Sequence, residues 1–166
     1  MSKTTLIGIM GICFFASANA FTFGAGGVYK NLLVENGDAY PGIVADAYFK
    51  VLPFLGIRVG LVDVDMPEGG TSYFFGLHTG ADLMLTIPVE GIPISPYILF
   101  GATYSGNGVT KIDLDGGVGF DYFFTPQMGF YLEGAIHYFS YDVAGYKTDG
   151  NPLYFGGGLK IKVPML

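Results

Sequence analysis

The chain has 166 residues, of which 51% are apolar and only 13% are charged. Soluble domains carry about 25% charged residues, so this composition is unusually apolar. The 14 acidic residues outnumber the 8 Lys and Arg residues, for a formal net charge of −6. That balance excludes nucleic acid as a partner, because its backbone is bound by clustered Lys and Arg.

Residues 1–20 are predicted to form a cleaved signal peptide. Lys3 supplies the positive start, residues 6–16 form an apolar segment, and Ala18-Asn19-Ala20 offers small residues at the cleavage site. The apolar segment is shorter than the ~20 residues of a membrane-spanning helix, although an uncleaved anchor is the alternative. Cleavage after Ala20 would remove Cys13, the single cysteine. The mature chain, residues 21–166, would then contain neither a disulfide nor a thiolate metal site.

Clusters of Gly, Pro, Asn and Asp divide the mature chain into eight segments. Strands are predicted at 21–34, 43–51, 55–63, 73–86, 96–105, 111–124, 129–142 and 153–163. The connectors near Pro53, Pro88–Pro93 and Pro126 are tight or contain proline, whereas those at 35–42, 64–72, 106–110 and 143–152 are polar. Short inner turns and more polar outer loops are typical of outer-membrane barrels. An even number of strands predicts that both termini lie on the periplasmic side.

Within these segments, apolar and polar residues alternate with a period of two. In the last segment Leu153, Phe155 and Leu159 alternate with Tyr154 and Lys160. One face of the predicted strands carries no charge over their central parts. The other face holds Lys30, Asp46, Lys50, Arg58, Asp82, Asp113, Asp115, Asp121, Glu133, Lys160 and Lys162. Strands with two unlike faces, in a chain without a spanning helix, predict a closed sheet with its apolar face toward lipid.

Three stretches resemble small outer-membrane barrels of the OmpA/OmpX type. They are 96–104 (PYILFGATY), 129–138 (GFYLEGAIHY) and the end of the chain, Gly156-x-Gly158-x-x-Ile161-x-Val163. The resemblance covers residues 21–166 and implies an all-β, eight-stranded antiparallel up-and-down transmembrane β-barrel. It also implies a terminal assembly signal at Gly158, Ile161 and Val163, read by the barrel-assembly machinery after escort by periplasmic chaperones. The chain departs from this pattern because Pro164-Met165-Leu166 follows and no aromatic residue ends it.

The lumen is the candidate functional site. A polar network is predicted from Asp46, Arg58, Asp82, Asp121, Glu133, Lys160 and Lys162. Near balance between acids and bases favours internal pairing, and an eight-stranded barrel is about wide enough for its own side chains. The tight turn after residue 124 places Asp121 and Glu133 on adjacent strands, where they repel each other unless a cation intervenes. We therefore expect a cluster of Asp121, Glu133, Lys160 and Lys162.

Catalysis is not predicted. His137 and Ser140 fall on opposite faces of one strand and cannot share a proton, and His78 is expected to make hydrogen bonds in the lumen, as is His137. The expected protein is a monomeric, non-enzymatic outer-membrane barrel, without metal or cofactor, whose partners are outer-membrane lipids. Its expected role is structural or in surface interaction. The alternatives are a narrow channel for ions or small solutes, and a secreted lipocalin-like barrel that would need its apolar face turned inward.

Overall fold

A computed structural model describes residues 21–31, 39–66, 68–75, 80–87, 89–106, 109–143, 146–151 and 153–163. Ten strands form in chain order: β1 (Phe21–Asn31), β2 (Ala39–Leu52), β3 (Leu55–Asp65), β4 (Ser72–Phe75), β5 (Ala81–Thr86), β6 (Ile94–Gly106), β7 (Val109–Phe123), β8 (Met128–Val143), β9 (Tyr146–Gly150) and β10 (Leu153–Val163). In these described segments, no helix is long and apolar enough to cross a membrane.

The strands close into a single antiparallel ring. Sequence neighbours pair around the ring, and β10 pairs with both β8 and β1. The closing pair runs over the full length of both strands, from Phe21 opposite Val163 to Asn31 opposite Leu153. Pairing of β10 with β1 closes the sheet, so the described backbone groups of these two strands pair internally rather than forming a free edge. The predicted eight-stranded antiparallel up-and-down transmembrane β-barrel is confirmed.

Two of the eight barrel strands are each made of two pieces. The predicted strand 73–86 is interrupted between β4 and β5, where Gly80 has a φ of +95°. Only glycine adopts this conformation without strain, and a Cβ at Gly80 would also collide with the Oγ1 atom of Thr103. The Gly60 N–H donates to the Gly80 carbonyl over 3.1 Å, which keeps the interrupted strand on β3.

The hairpin formed by β8 and β9 is longer than the sequence suggested. Residues 143–152 were predicted as a loop, but β9 pairs with β8 from Val143 opposite Tyr146 to Phe139 opposite Gly150. This is the same register in which β10 continues along β8, starting from Leu153 opposite Ile136. A strand continues through polar residues as long as its backbone groups pair across the hairpin. The strand end predicted from composition alone is therefore wrong.

The predicted assignment of the two faces is confirmed by the exposure of the side chains. Val118 is 63% exposed, Phe155 61% and Ile136 59%, whereas the charged residues Asp46, Arg58, Glu133 and Lys160 are buried. Ala47 is an exception on the outward face, at 3% exposure. Its register neighbours are the larger Phe23 and Val59, which flank the small methyl group. The outward apolar face contradicts the lipocalin-like alternative, which requires apolar side chains in the lumen.

The barrel has two different ends. One end, here called the turn end, holds Phe21, Val163 and the turns at 53–54, 87–93 and 124–127. The opposite end, here called the loop end, holds the connections between β1 and β2, β3 and β4, β6 and β7, and β8 and β9. The barrel strands, two of them in two pieces, run between these ends, and their polar face encloses the lumen.

Candidate functional site: the polar lumen

Arg58 is the centre of the buried ion pairs. It lies on β3 directly opposite Asp82 of β5, and its Nε donates to an Asp82 carboxylate oxygen. Its Nη1 donates to both carboxylate oxygens of Glu133, at 2.6 and 2.8 Å. β8 lies four strands from β3 around the ring, so this second pair crosses the lumen. Arg58 therefore ties opposite walls of the barrel together.

Glu133 has a second donor in the same layer. The Tyr97 hydroxyl donates to Glu133 Oε2 over 2.8 Å, and the Glu133 side chain is fully buried. Buried ions lose their hydration, a cost that is offset only where hydrogen bonds satisfy the remaining charge. The paired guanidinium and the phenol supply those bonds for Glu133. Arg58, Asp82, Glu133 and Tyr97 thus form one connected group, which we call the central layer.

Lys160 forms a second group on the turn-end side of the lumen. Its Nζ donates to Asp121 Oδ1 over 2.5 Å, and the residue is only 2% exposed. The same ammonium lies 4.0 Å from the ring centroid of Tyr48 and 5.1 Å from those of Tyr97 and Tyr131. Ring faces attract a desolvated cation. Three aromatic rings and one carboxylate therefore surround Lys160 and fill this part of the lumen.

Asp46 and Lys162 make different contacts from those of the two groups above. Asp46 is buried and accepts a hydrogen bond from the Tyr48 hydroxyl at 3.4 Å. Lys162 is not joined to Glu133; its Nζ lies 3.5 Å from the ring centroid of Phe123, near the turn end.

The structure changes the predicted partners of the two neighbouring carboxylates. Asp121 pairs with Lys160 as expected, but the cation beside Glu133 is Arg58 rather than either lysine. In register terms Lys160 lies opposite Gly129, whereas Glu133 lies opposite Gly156. The spacing of residues along the strands indicates neighbours on adjacent strands only, so it gives no signal for a long guanidinium that reaches across the lumen.

A third polar contact lies toward the loop end. His137 Nδ1 is 3.3 Å from Asp113 Oδ1, and the imidazole ring centroid is 5.7 Å from that of Tyr154. His78 lies outside the described residues. Where the structure describes the chain, no group of three or more His, Cys, Asp or Glu side chains could hold a metal ion.

Glycines make room for these charged groups. Gly101 lies between Asp82 and Asp115 in the register, and a Cβ at this position would collide with a carboxylate oxygen of each. Both acidic side chains thus bend over the bare backbone of Gly101. The lumen can hold large charged residues because the intervening positions carry no side chain.

Comparison with known proteins identifies this arrangement at the level of fold. No family model matches the chain, and neither does any curated protein. Among solved structures, Neisserial surface protein A (NspA) has a TM-score of 0.62 at 14% identity, covering 86% of this chain and 97% of that one.

Two barrels from Pseudomonas aeruginosa agree with this result. The N-terminal β-barrel domain of OprF has a TM-score of 0.55 at 11% identity, over 88% of this chain and 98% of that domain. The outer membrane protein OprG has a TM-score of 0.51 at 13% identity, over 90% and 98%. This chain has the fold of the small eight-stranded outer-membrane barrels.

In this small-barrel fold, the predicted assembly residues lie on the closing strand β10. Ile161 and Val163 are 49% and 41% exposed on the outward face. Gly158 faces the lumen and lies opposite Gly26, and a Cβ on either glycine would collide with the backbone of the other strand. The close approach of β1 and β10 therefore requires glycine at position 158, independently of the predicted assembly signal. Residues 164–166 lie outside the described residues.

Proposed function

We propose that this protein is a non-enzymatic integral protein of the outer membrane, with a structural or surface-interaction role. The observation that carries the proposal is the contrast between its two faces. Large apolar side chains cover the outside, among them Phe100 at 55% and Leu159 at 58% exposure, while charged side chains are buried inside. Soluble monomers rarely expose contiguous apolar surface of this kind. In lipid the same surface is the low-energy one.

The proposed lumen is closed to ions and solutes. Arg58 and Glu133 join across it, and Tyr97, Leu99 and Tyr131 are at most 1% exposed. Among the described lumen cations, Arg58 and Lys160 are paired with carboxylates, and Lys162 lies over an aromatic ring. A filled interior is the usual condition of an eight-stranded barrel.

Location and partners complete the proposal. The chain is secreted, its signal peptide is cleaved after Ala20, and both termini lie in the periplasm. Periplasmic chaperones deliver it to the barrel-assembly machinery, which recognises β10 through Gly158, Ile161 and Val163. Outer-membrane lipids then surround a monomer.

Four measurements on the full chain, expressed in a diderm bacterium, test this function. We expect outer-membrane fractionation, extraction only with detergent, and gel migration that changes on heating, as for a closed barrel. A soluble periplasmic product would contradict the membrane assignment. In planar bilayers the purified protein should show no discrete conductance steps, and reproducible steps would show instead that the lumen is a narrow channel.

A further inference from the structure

Asp82 and Asp115 approach each other on the lumen side of β6. Both lie opposite Gly101 in the register, Asp82 on β5 and Asp115 on β7. A single Cβ atom added to Gly101 would collide with Oδ1 of both residues, so the two oxygens lie close to one point above the bare backbone. Two carboxylates from strands that are not neighbours thus face each other inside the barrel.

The second oxygen of Asp82 has a different partner. Arg58 Nε donates to Asp82 Oδ2, so that Oδ1 is the atom directed toward Asp115. Arg58 also donates to both carboxylate oxygens of Glu133 through Nη1. One guanidinium therefore binds two carboxylates before the charge of Asp115 is counted.

The other groups around Asp115 leave an excess of negative charge. On its neighbouring strand β6 (Ile94–Gly106) there is no charged residue. On β8, His137 lies opposite Asp115 in the register, but its Nδ1 is directed at Oδ1 of Asp113, 3.3 Å away. The other described titratable groups beside this part of the lumen are Asp46 of β2 and Tyr154 of β10. Carboxylates thus outnumber the described cations around Asp115.

A proton would remove this excess. Two carboxylates that share one place in a poorly solvated interior cannot both keep their charge. We propose that Asp82 and Asp115 hold one proton between their Oδ1 atoms, so that the pair carries one negative charge instead of two. The proton comes from water. The bond from Arg58 to Asp82 is kept, because Arg58 uses the other oxygen.

This shared proton makes the central layer sensitive to pH. In the unfolded chain the two carboxyl groups are separated and solvated, and each releases its proton near about pH 4. The folded pair holds a proton that the unfolded chain has already released, so proton binding favours the folded state. As the pH rises further the folded pair loses this proton and the contribution disappears. Repulsion between Asp82 and Asp115 then weakens the contact of Asp82 with Arg58.

Infrared spectra of the full chain, folded in detergent micelles with EDTA present, test for the proton directly. A protonated carboxyl group has a C=O stretching band that a carboxylate lacks. We expect this band near neutral pH in the parent chain and a weaker band in Asp115→Asn, whose amide keeps the shape of the side chain. Asp113→Asn, on the same face of β7, is the matched control and should keep the full band. No band in the parent chain, or an equal band in Asp115→Asn, would overturn the proposal.

Urea unfolding of the same samples measures the consequence, after gel migration has confirmed folding. The midpoint of the parent chain should fall between about pH 5 and about pH 8. Asp115→Asn should remove most of this fall and have the higher midpoint at the upper pH. Because a histidine titrates in the same range, His137→Gln is measured as well and should retain the fall. A fall that is lost in His137→Gln but kept in Asp115→Asn would assign the pH dependence to the imidazole and contradict the inference. The proposed membrane location is tested separately, by fractionation.

Discussion

The lumen-facing and outward-facing surfaces are built from alternate residues of the same strands, yet they follow different rules. On the outward face, Val118 and Leu132 are exposed apolar side chains with no specific partner to find. On the lumen face, one position away, Glu133 requires Arg58 on the opposite wall and Tyr97 nearby. The outward face is therefore defined by composition, whereas the lumen face is defined by the identity of each residue.

This contrast predicts that the largest loss of stability comes from the lumen. Glu133→Ala removes the carboxylate that Arg58 contacts through both oxygens, so that the buried guanidinium loses one of its two described ion pairs and keeps the one with Asp82. Breaking a buried pair by removing one partner costs about 3–5 kcal/mol. Urea unfolding in vesicles should show a loss at the lower end of that range. Glu133→Gln keeps the shape and hydrogen-bonding capacity, so its loss should be smaller. Equal stability of Glu133→Ala and the parent chain would contradict the central layer.

The second prediction concerns the outward face, where a charge is added instead of removed. Val118→Arg places a charge on a residue that is 63% exposed near the middle of β7. A cation on the lipid face near the bilayer midplane costs about 2–4 kcal/mol. The free energy of unfolding in vesicles should fall by that amount, whereas Val118→Leu should leave it nearly unchanged. A tolerated arginine at this position would show that the face does not contact hydrocarbon.

The same contrast explains how much the sequence could predict. Alternation gave the fold, the strands and the outward face because a period of two is a local property of the chain. It also selected Arg58, Asp82 and Glu133 as lumen residues. It did not reveal that Arg58 pairs with Glu133, since that contact depends on side-chain length and the diameter of the closed ring. The contacts between Lys160 and the rings of Tyr48, Tyr97 and Tyr131 were not predicted for the same reason, because the three tyrosines lie on three different strands.

The ends of the strands were also difficult to predict from the sequence. The interruption at Gly80 and the pairing of 146–150 both depend on which backbone groups find partners, and neither is visible in composition. The polarity of 143–152 suggested a loop, but polar residues suit a hairpin outside the hydrocarbon region as well as they suit a loop. The tight turns were easier because proline at 53, 93 and 126 limits the local backbone.

The smallest predicted effect compares two strand glycines on opposite faces. Gly101 faces the lumen, and an added Cβ would collide with carboxylate oxygens of Asp82 and Asp115. Gly27 faces outward, and its added Cβ would meet nothing closer than the Gly42 carbonyl oxygen at 4.0 Å. Overpacking of a filled interior costs about 1–3 kcal/mol, so Gly101→Ala should lower the free energy of unfolding by that amount as Asp82 is displaced from Arg58. Gly27→Ala should change it by less than ~0.5 kcal/mol. Both variants change the same residue type within a strand, so a difference in their unfolding midpoints reports the face alone. Equal midpoints would mean that the lumen has space to spare, contrary to a closed interior.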